Sequence, residues 1–227
     1  MALKINRNLQ RITKIIGWVL LIVVICAMVK VLTWENDYYS HKTTEERAEA
    51  IPVLTSISEA GSISTDEVTE EEFNEYQTLG KTPKTLEIPR LNVRALIQSS
   101  DANADGTLPV PTNINKAMWF SPSAMPDGGG VIILSGINSV LGKNGIFKNL
   151  DSLENGDEIN IVTGDDSKAT YVVADVKIVN PDQIKDELPG MQRKIEDKET
   201  LSLISVKNTT SDKNQYESIV MIRATRK

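Results

Sequence analysis

The chain has 227 residues, with 25 Lys and Arg against 31 Asp and Glu, 40% hydrophobic and only 5% aromatic residues, and a net charge of −6. That is room for one ordinary domain with attachments, and an acidic chain is a poor binder of nucleic acid. A single Cys, Cys26, and a single His, His41, exclude an intramolecular disulfide and an ordinary Cys/His zinc site, so no metal or cofactor is expected.

The charge is uneven. Residues 1–34 carry +5 with no acid, 35–84 carry −8, and 85–227 carry −3. Three segments with three different tasks are the natural reading. Residues 1–14 form a basic tail. Ile15 to Val29 has no charge and, with Lys30 near the far end, the apolar stretch extends to Trp34, 20 residues in all. That length spans a bilayer as a helix. Lys30 can snorkel, and Trp34, Tyr38 and Tyr39 stand where an interfacial aromatic belt belongs. The four cations ahead of the span place the N-terminus in the cytoplasm and everything after Trp34 outside the cell. No small-residue cleavage site closes the run, and Ile25 precedes Cys26 where a lipoprotein signal needs a small residue, so the expectation is an uncleaved single-pass anchor.

Residues 35–84 are rich in Glu, Ser and Thr and poor in large apolar residues, so they are expected to be a disordered or partly helical acidic stalk, with short helices over Glu45–Ile51 and Glu70–Tyr76. The alternative is a lid folded back on the domain through Phe73, Tyr76 and Leu79. His41 lies in this stretch and reads as a solvated side chain.

From residue 85 the texture changes to short β-branched or apolar runs between turn signals. The runs are Leu86–Ile88, Val93–Ile97, Ala117–Phe120, Val131–Ser135, Glu158–Thr163, Thr170–Val179, Leu201–Val206 and Ile219–Thr225. Phe147, Leu150 and Leu153 recur every third residue and suggest a helix. A second helix is expected over Asp182–Asp197, broken at Pro189-Gly190. Eight short strands point to a closed barrel or a sandwich, and the pattern alone does not choose. No Gly-rich phosphate loop, nucleophile elbow or metal motif is present. The paired acids Asp157-Glu158 and Asp165-Asp166 read as solvated turn carboxylates rather than a calcium site. Trp119 reads as core.

The succession LEIPRLNV (86–93), DGTLPVP (105–111), the strand around Trp119, PDGGGVIILSG (126–136), GIFKNLDSLENGDEI (145–159), LSLISV (201–206) and IVMIRA (219–224) resembles a sortase, nearest to the class F type. The likeness covers residues 85–227. It implies an eight-stranded β-barrel with one or two short helices, here preceded by a single transmembrane helix. It also implies an activity, cleavage of a sorting signal and transfer of the protein to an amine. That chemistry uses a thiolate, an imidazole and an oxyanion donor. The family's His position falls on Ile137, its Cys position on Val206 and its Arg position on Ile219, and the nearest arginine is Arg223.

The sequence expectation is therefore a protein that is not an enzyme: a cell-surface accessory module whose former cleft takes a sorting-signal-like peptide, a surface protein or an active sortase. The expected cleft residues are Ile137, Asn138, Ser139, Val206, Asn208 and Ile219. Two alternatives stand beside it. One is a purely structural surface domain, in which the Ile137–Val206 region is buried. The other is a cysteine-independent transpeptidase or hydrolase with relocated residues. Its candidates are Ser139, Ser205, Lys143 and Lys207, with Ser205 expected to face away from Val206 because strand neighbours alternate.

Overall fold

The computed structural model describes Lys30 and residues 63–101, 107–140, 142–207 and 218–227. The rest of the expected span over 15–34 and the expected helix over Glu45–Ile51 lie outside the described residues. Among the described residues no helix is long and apolar enough to cross a membrane.

The strands are β1 (Pro83–Ile88), β2 (Val93–Ser100), β3 (Ala117–Phe120), β4 (Val131–Val140), β5 (Lys143–Asn144), β6 (Glu158–Thr163), β7 (Lys168–Val179), β8 (Thr200–Lys207) and β9 (Ser218–Arg226). Neighbours run β3-β2-β1-β6-β7-β9-β8-β4, and β3 pairs back with β4, so eight strands close into a barrel. β5 is a two-residue hairpin arm on the end of β4. Closure answers the question the strand pattern leaves open, and it does so by removing free sheet edges.

All eight expected strands are present. β4 runs five residues past its expected end at Ser135, because Gly136 is not a turn. A Cβ at Gly136 would lie 2.3 Å from the Phe147 ring, so glycine is there to let that ring pack against the strand.

Alternation sorts the side chains into two layers. Leu86, Ile132, Leu134, Phe147, Leu203 and Ile222 fill the barrel. Ile133, Ile204 and Met221 face outward and pack with Ile184, Leu188 and Met191. Those last three come from the helix α2 (Ile184–Met191). Every residue of β4 except Ser139 is buried, since both of its faces are covered. Each such Ile or Leu contributes about 1.5–3 kcal/mol relative to exposure.

The helix expected over Asp182–Asp197 is shorter. It follows a 3₁₀ turn at Pro181–Gln183 and continues through Pro189 to Met191. Proline removes one hydrogen bond there, and the buried apolar face holds the rest against the barrel. The Phe147, Leu150 and Leu153 spacing gives only a 3₁₀ turn, Leu150–Ser152. A repeat of three residues matches that tighter helix rather than the α-helix.

The end of the acidic stretch is docked. A short helix, α1 (Glu70–Glu75), starts at Thr69, whose Oγ1 accepts the Glu72 N–H at 3.1 Å, and three glutamates in its first turn suit its positive end. Arg94 lies over the Phe73 ring at 4.0 Å, and the Tyr76 hydroxyl donates to the Ile97 carbonyl at 2.6 Å. Leu79, the third expected contact, is 55% exposed.

Candidate functional site

The three family positions inferred from sequence are distant in the chain. Strand register brings them together. Ile137 on β4 pairs with Val206 on β8, and Val206 pairs with Ile219 on β9. Directly paired residues share a sheet face, so the three form one rung across adjacent strands. Val179 on β7 extends the rung beyond Ile219.

The rung is apolar, and its two flanking residues are shielded. Ile137 is 4% exposed and Ile219 2%. Ile137 packs with Ile114 and Val140, and Ile63 from the docked segment lies against that group. The docking is backbone-directed. The Ser64 N–H donates to the Thr112 carbonyl at 2.7 Å, and the Ile114 N–H donates to the Ser64 carbonyl at 3.0 Å. Asn115 Nδ2 donates to the Asp66 carbonyl at 2.8 Å, which fastens the same loop.

The other expected cleft residues divide. Asn138 is buried and is the extra residue of a bulge. The β4–β8 register slips between Ile137 and Ser139, so two residues of β4 advance against one of β8. Bulges re-aim side chains beside sites. Ser139 is half-buried and pairs with Lys207 on one side and Asn144 on the other. Asn208 lies outside the described residues. Ser205 is fully buried, as alternation requires, and its Oγ has no described hydrogen-bond partner. Arg223 is four residues along β9 from Ile219, and its Nη2 donates to the Arg193 carbonyl at 2.7 Å, near the end of α2 rather than at the rung. Trp119 is core, donating from Nε1 to Ser123 Oγ at 3.0 Å.

Ser218 is not among the residues singled out from the sequence. On β9 it pairs through the backbone with Lys207 of β8, which also pairs with Ser139, one residue along from the apolar rung and, by alternation, on the opposite face of the sheet. No local signal points to it, because it depends on the bulge at Asn138 and on two non-local registers.

The opposite rim is polar. Glu199 is 8% exposed and accepts the Tyr171 hydroxyl at 2.6 Å and the Gly129 N–H at 2.7 Å. Arg226 bonds Asp127 at 2.9 Å, and Lys81 bridges Asp127 at 3.2 Å and Asp165 at 3.3 Å. Burial, then the Glu199 carboxylate, pushes the Tyr171 phenol far above its ordinary range. The Thr163 hydroxyl, then Ser167, holds the Asp165 carboxyl well below the usual carboxylate range. Asp157 is bound to Arg90 at 3.2 Å. The turn acids Asp157 and Asp165 are thus engaged by the chain itself. Among the described residues no group of three His, Cys, Asp or Glu is placed to hold a metal.

No curated protein matches the sequence. Solved structures do. Sortase C1 of GBS pilus island 1 matches with a TM-score of 0.56 at 19% identity, covering 87% of this chain and 89% of that one. A lid mutant of Streptococcus agalactiae sortase C1 gives 0.53 at 18%, covering 87% and 89%. Sortase C-1 from Actinomyces oris gives 0.53 at 17%, covering 87% and 98%. At these identities the likeness establishes the sortase fold. The model of the Sortase domain matches residues 86–227. That match corrects the expectation of a protein that is not an enzyme, since the domain is that of an enzyme family. The residue types at three aligned positions do not by themselves decide activity. The chain belongs to the sortase family, and its barrel is a sortase-family domain involved in surface protein processing.

Proposed function

We propose that this chain is a single-pass cell-membrane protein. Residues 15–34 anchor it, the N-terminus is cytoplasmic, and the extracellular barrel receives a sorting-signal-like segment of a surface protein at the end of β4, β8 and β9. The motif order, nearest to class F in sequence, and the +5 charge ahead of an uncharged apolar run support this reading. The observation that carries it is the alignment of Ile137, Val206 and Ile219 in one rung, where the sequence resemblance expects the peptide to bind. An extended apolar segment suits such a surface. Ile63 packs beside Ile137, so an incoming peptide competes with the chain's own segment for the same apolar contact.

A photo-crosslinking residue at Val206 of the full chain in cells tests this, with Lys168, exposed on β7, as the control. A discrete adduct at position 206 only, increased by Ile63→Ser, is expected. Identical adducts at both positions, or none, would refute the reading. The second reading, an outer face that completes the core without a ligand, is favoured by the burial of Ile137 and Ile219, and it expects no adduct in either background.

A further inference from the structure

We infer that the loop Thr112–Lys116, with the apolar group Ile114, Ile137 and Val140 beside it, is a recognition site for an extended peptide in which an apolar residue is followed by one with a free amide N–H. Residues 63–66 are its resident occupant. The inference rests on the reading of the barrel as a domain that receives a segment of a surface protein, and it names what that segment must carry.

The occupant shows how the site reads a chain. Ser64 forms an isolated parallel bridge with Asn113. Its N–H donates to the Thr112 carbonyl at 2.7 Å, and its carbonyl accepts the Ile114 N–H at 3.0 Å, so both backbone groups of one residue are read. Proline at that place has no N–H to give. One residue earlier, Ile63 lies against Ile114, Ile137 and Val140. Two residues later, the Asp66 carbonyl accepts from Asn115 Nδ2 at 2.8 Å and from Asn113 Nδ2 at 3.2 Å. The polar side chains of the occupant bond each other instead of the barrel. Ser64 Oγ donates to Asp66 Oδ2 at 2.8 Å and accepts the Asp66 N–H at 3.0 Å. Side-chain selection therefore falls on the apolar position, and the rest of the grip is on backbone, as in strand addition.

The receiving side is built without the occupant. Asn113 Oδ1 accepts the Asn115 N–H at 2.7 Å, and the Asn113 carbonyl accepts the Lys116 N–H at 3.2 Å, which sets the turn. The Ile146 N–H donates to the Ile114 carbonyl at 2.9 Å, and the Phe147 N–H donates to the Ile137 carbonyl at 3.2 Å, so the segment after β5 ties the loop to β4. A Cβ at Gly145 would lie 2.1 Å from the Ile137 carbonyl oxygen, so glycine permits that close approach. None of these bonds involves residues 63–66. When those residues leave, the Thr112 carbonyl, the Ile114 N–H and the two side-chain amides stand ready for another chain. The resident segment is tethered and competes at an effective concentration of about millimolar, so a free peptide gains most when Ile63 is removed.

A fluorescein-labelled peptide copying residues 60–69 (AGSISTDEVT), titrated onto the full-length chain in detergent micelles and read by fluorescence polarisation, tests the inference. Ile63→Ser in the chain is expected to tighten binding about 10-fold or more over wild type, whose own segment competes. On that background, Ser64→Pro or Ile63→Ser in the peptide lowers affinity about 10-fold, whereas Ser64→Ala in the peptide changes it less than about twofold. Asn115→Ala in the chain keeps the loop's backbone bonds and weakens binding about fivefold. Asn155→Ala, on an exposed turn elsewhere, leaves it unchanged. Circular dichroism checks that each variant is folded. No binding to a folded Ile63→Ser chain, or equal affinity for the Ser64→Pro and Ser64→Ala peptides, overturns the inference. A crosslink at position 206 in cells without this binding would refute the recognition site alone. Binding without a crosslink would refute the placement of the surface-protein segment at the rung and leave the recognition site standing.

Discussion

The two rims of the barrel use the same strands in opposite ways. β8 begins beside Glu199, where a buried carboxylate, a tyrosine hydroxyl, two backbone N–H groups and Arg226 satisfy one another. It ends at Val206, paired with Ile137 and Ile219; Ile63 lies against the Ile137 group, and Ile219 packs with Ile184, Leu188 and Met191 of the outer layer. In the polar rim each group is satisfied by its partners. A buried hydrogen-bonded network loses much of its value when one member is removed. The apolar rim has no such directional commitment, since hydrophobic contact is proportional to area and one apolar segment can replace another. The polar end thus carries directional bonds, and the apolar end only contact area.

Three substitutions break or sharpen that contrast. The largest effect is expected from Glu199→Ala, which leaves the Tyr171 hydroxyl and the Asp127 and Gly129 N–H groups without their acceptor. A loss of about 3–4 kcal/mol is expected from urea unfolding, read as a lower midpoint at unchanged slope. A loss below about 1 kcal/mol would show that the network is not the stabilising rim. Ile137→Ala comes next. It removes buried methyl groups from a site that Ile63 and Ile114 partly refill, so about 2–3 kcal/mol is expected, at the low end for isoleucine truncation. If it costs more than Glu199→Ala in the same assay, the assignment of stability to the polar rim is reversed.

The smallest effect is a pH dependence. Asp165 titrates below its ordinary range in the folded chain because Thr163 and Ser167 hydrogen-bond the carboxylate. A depressed folded pKa contributes stability that is present above the unfolded value, about 3.9, and is lost as pH falls through the folded one. The melting temperature of wild type should therefore exceed that of Asp165→Asn at pH 7, and the gap should shrink at pH values below about 4. A gap that widens toward acid pH would contradict the cause assigned to the shift. Asp165 is solvent-facing, so the difference should be small.

Much of the barrel is legible in the chain. The eight strands follow from β-branched runs punctuated by turn residues, and the interior position of Ser205 follows from alternation with Ile204, which faces outward. The grouping of Ile137, Val206 and Ile219 follows from matching motif order to a known family, since no local feature of a valine or isoleucine marks a site. β5 escaped because two residues make no periodic signal. The docking of α1 escaped in part because an acidic segment reads as solvated until Arg94 and Lys116 are placed beside Glu70 and Glu72. Residue types at Ile137, Val206 and Ile219, and the lack of a thiol and an imidazole in residues 85–227, do not by themselves decide whether the domain is an enzyme.

By itself, the sequence determined what is local: strands, turns, the face each strand residue takes within its own strand, and the absence of thiol and imidazole from the barrel. These depend on a two-residue repeat and on composition, both complete within a few neighbouring residues. Only the tertiary structure decided the register. A one-residue bulge at Asn138 sets which β4 residue pairs with Lys207, and barrel closure brings β4, β8 and β9 side by side across long stretches of chain. Register is decided by burying the apolar side chains of all three strands at once, a condition that no single segment contains.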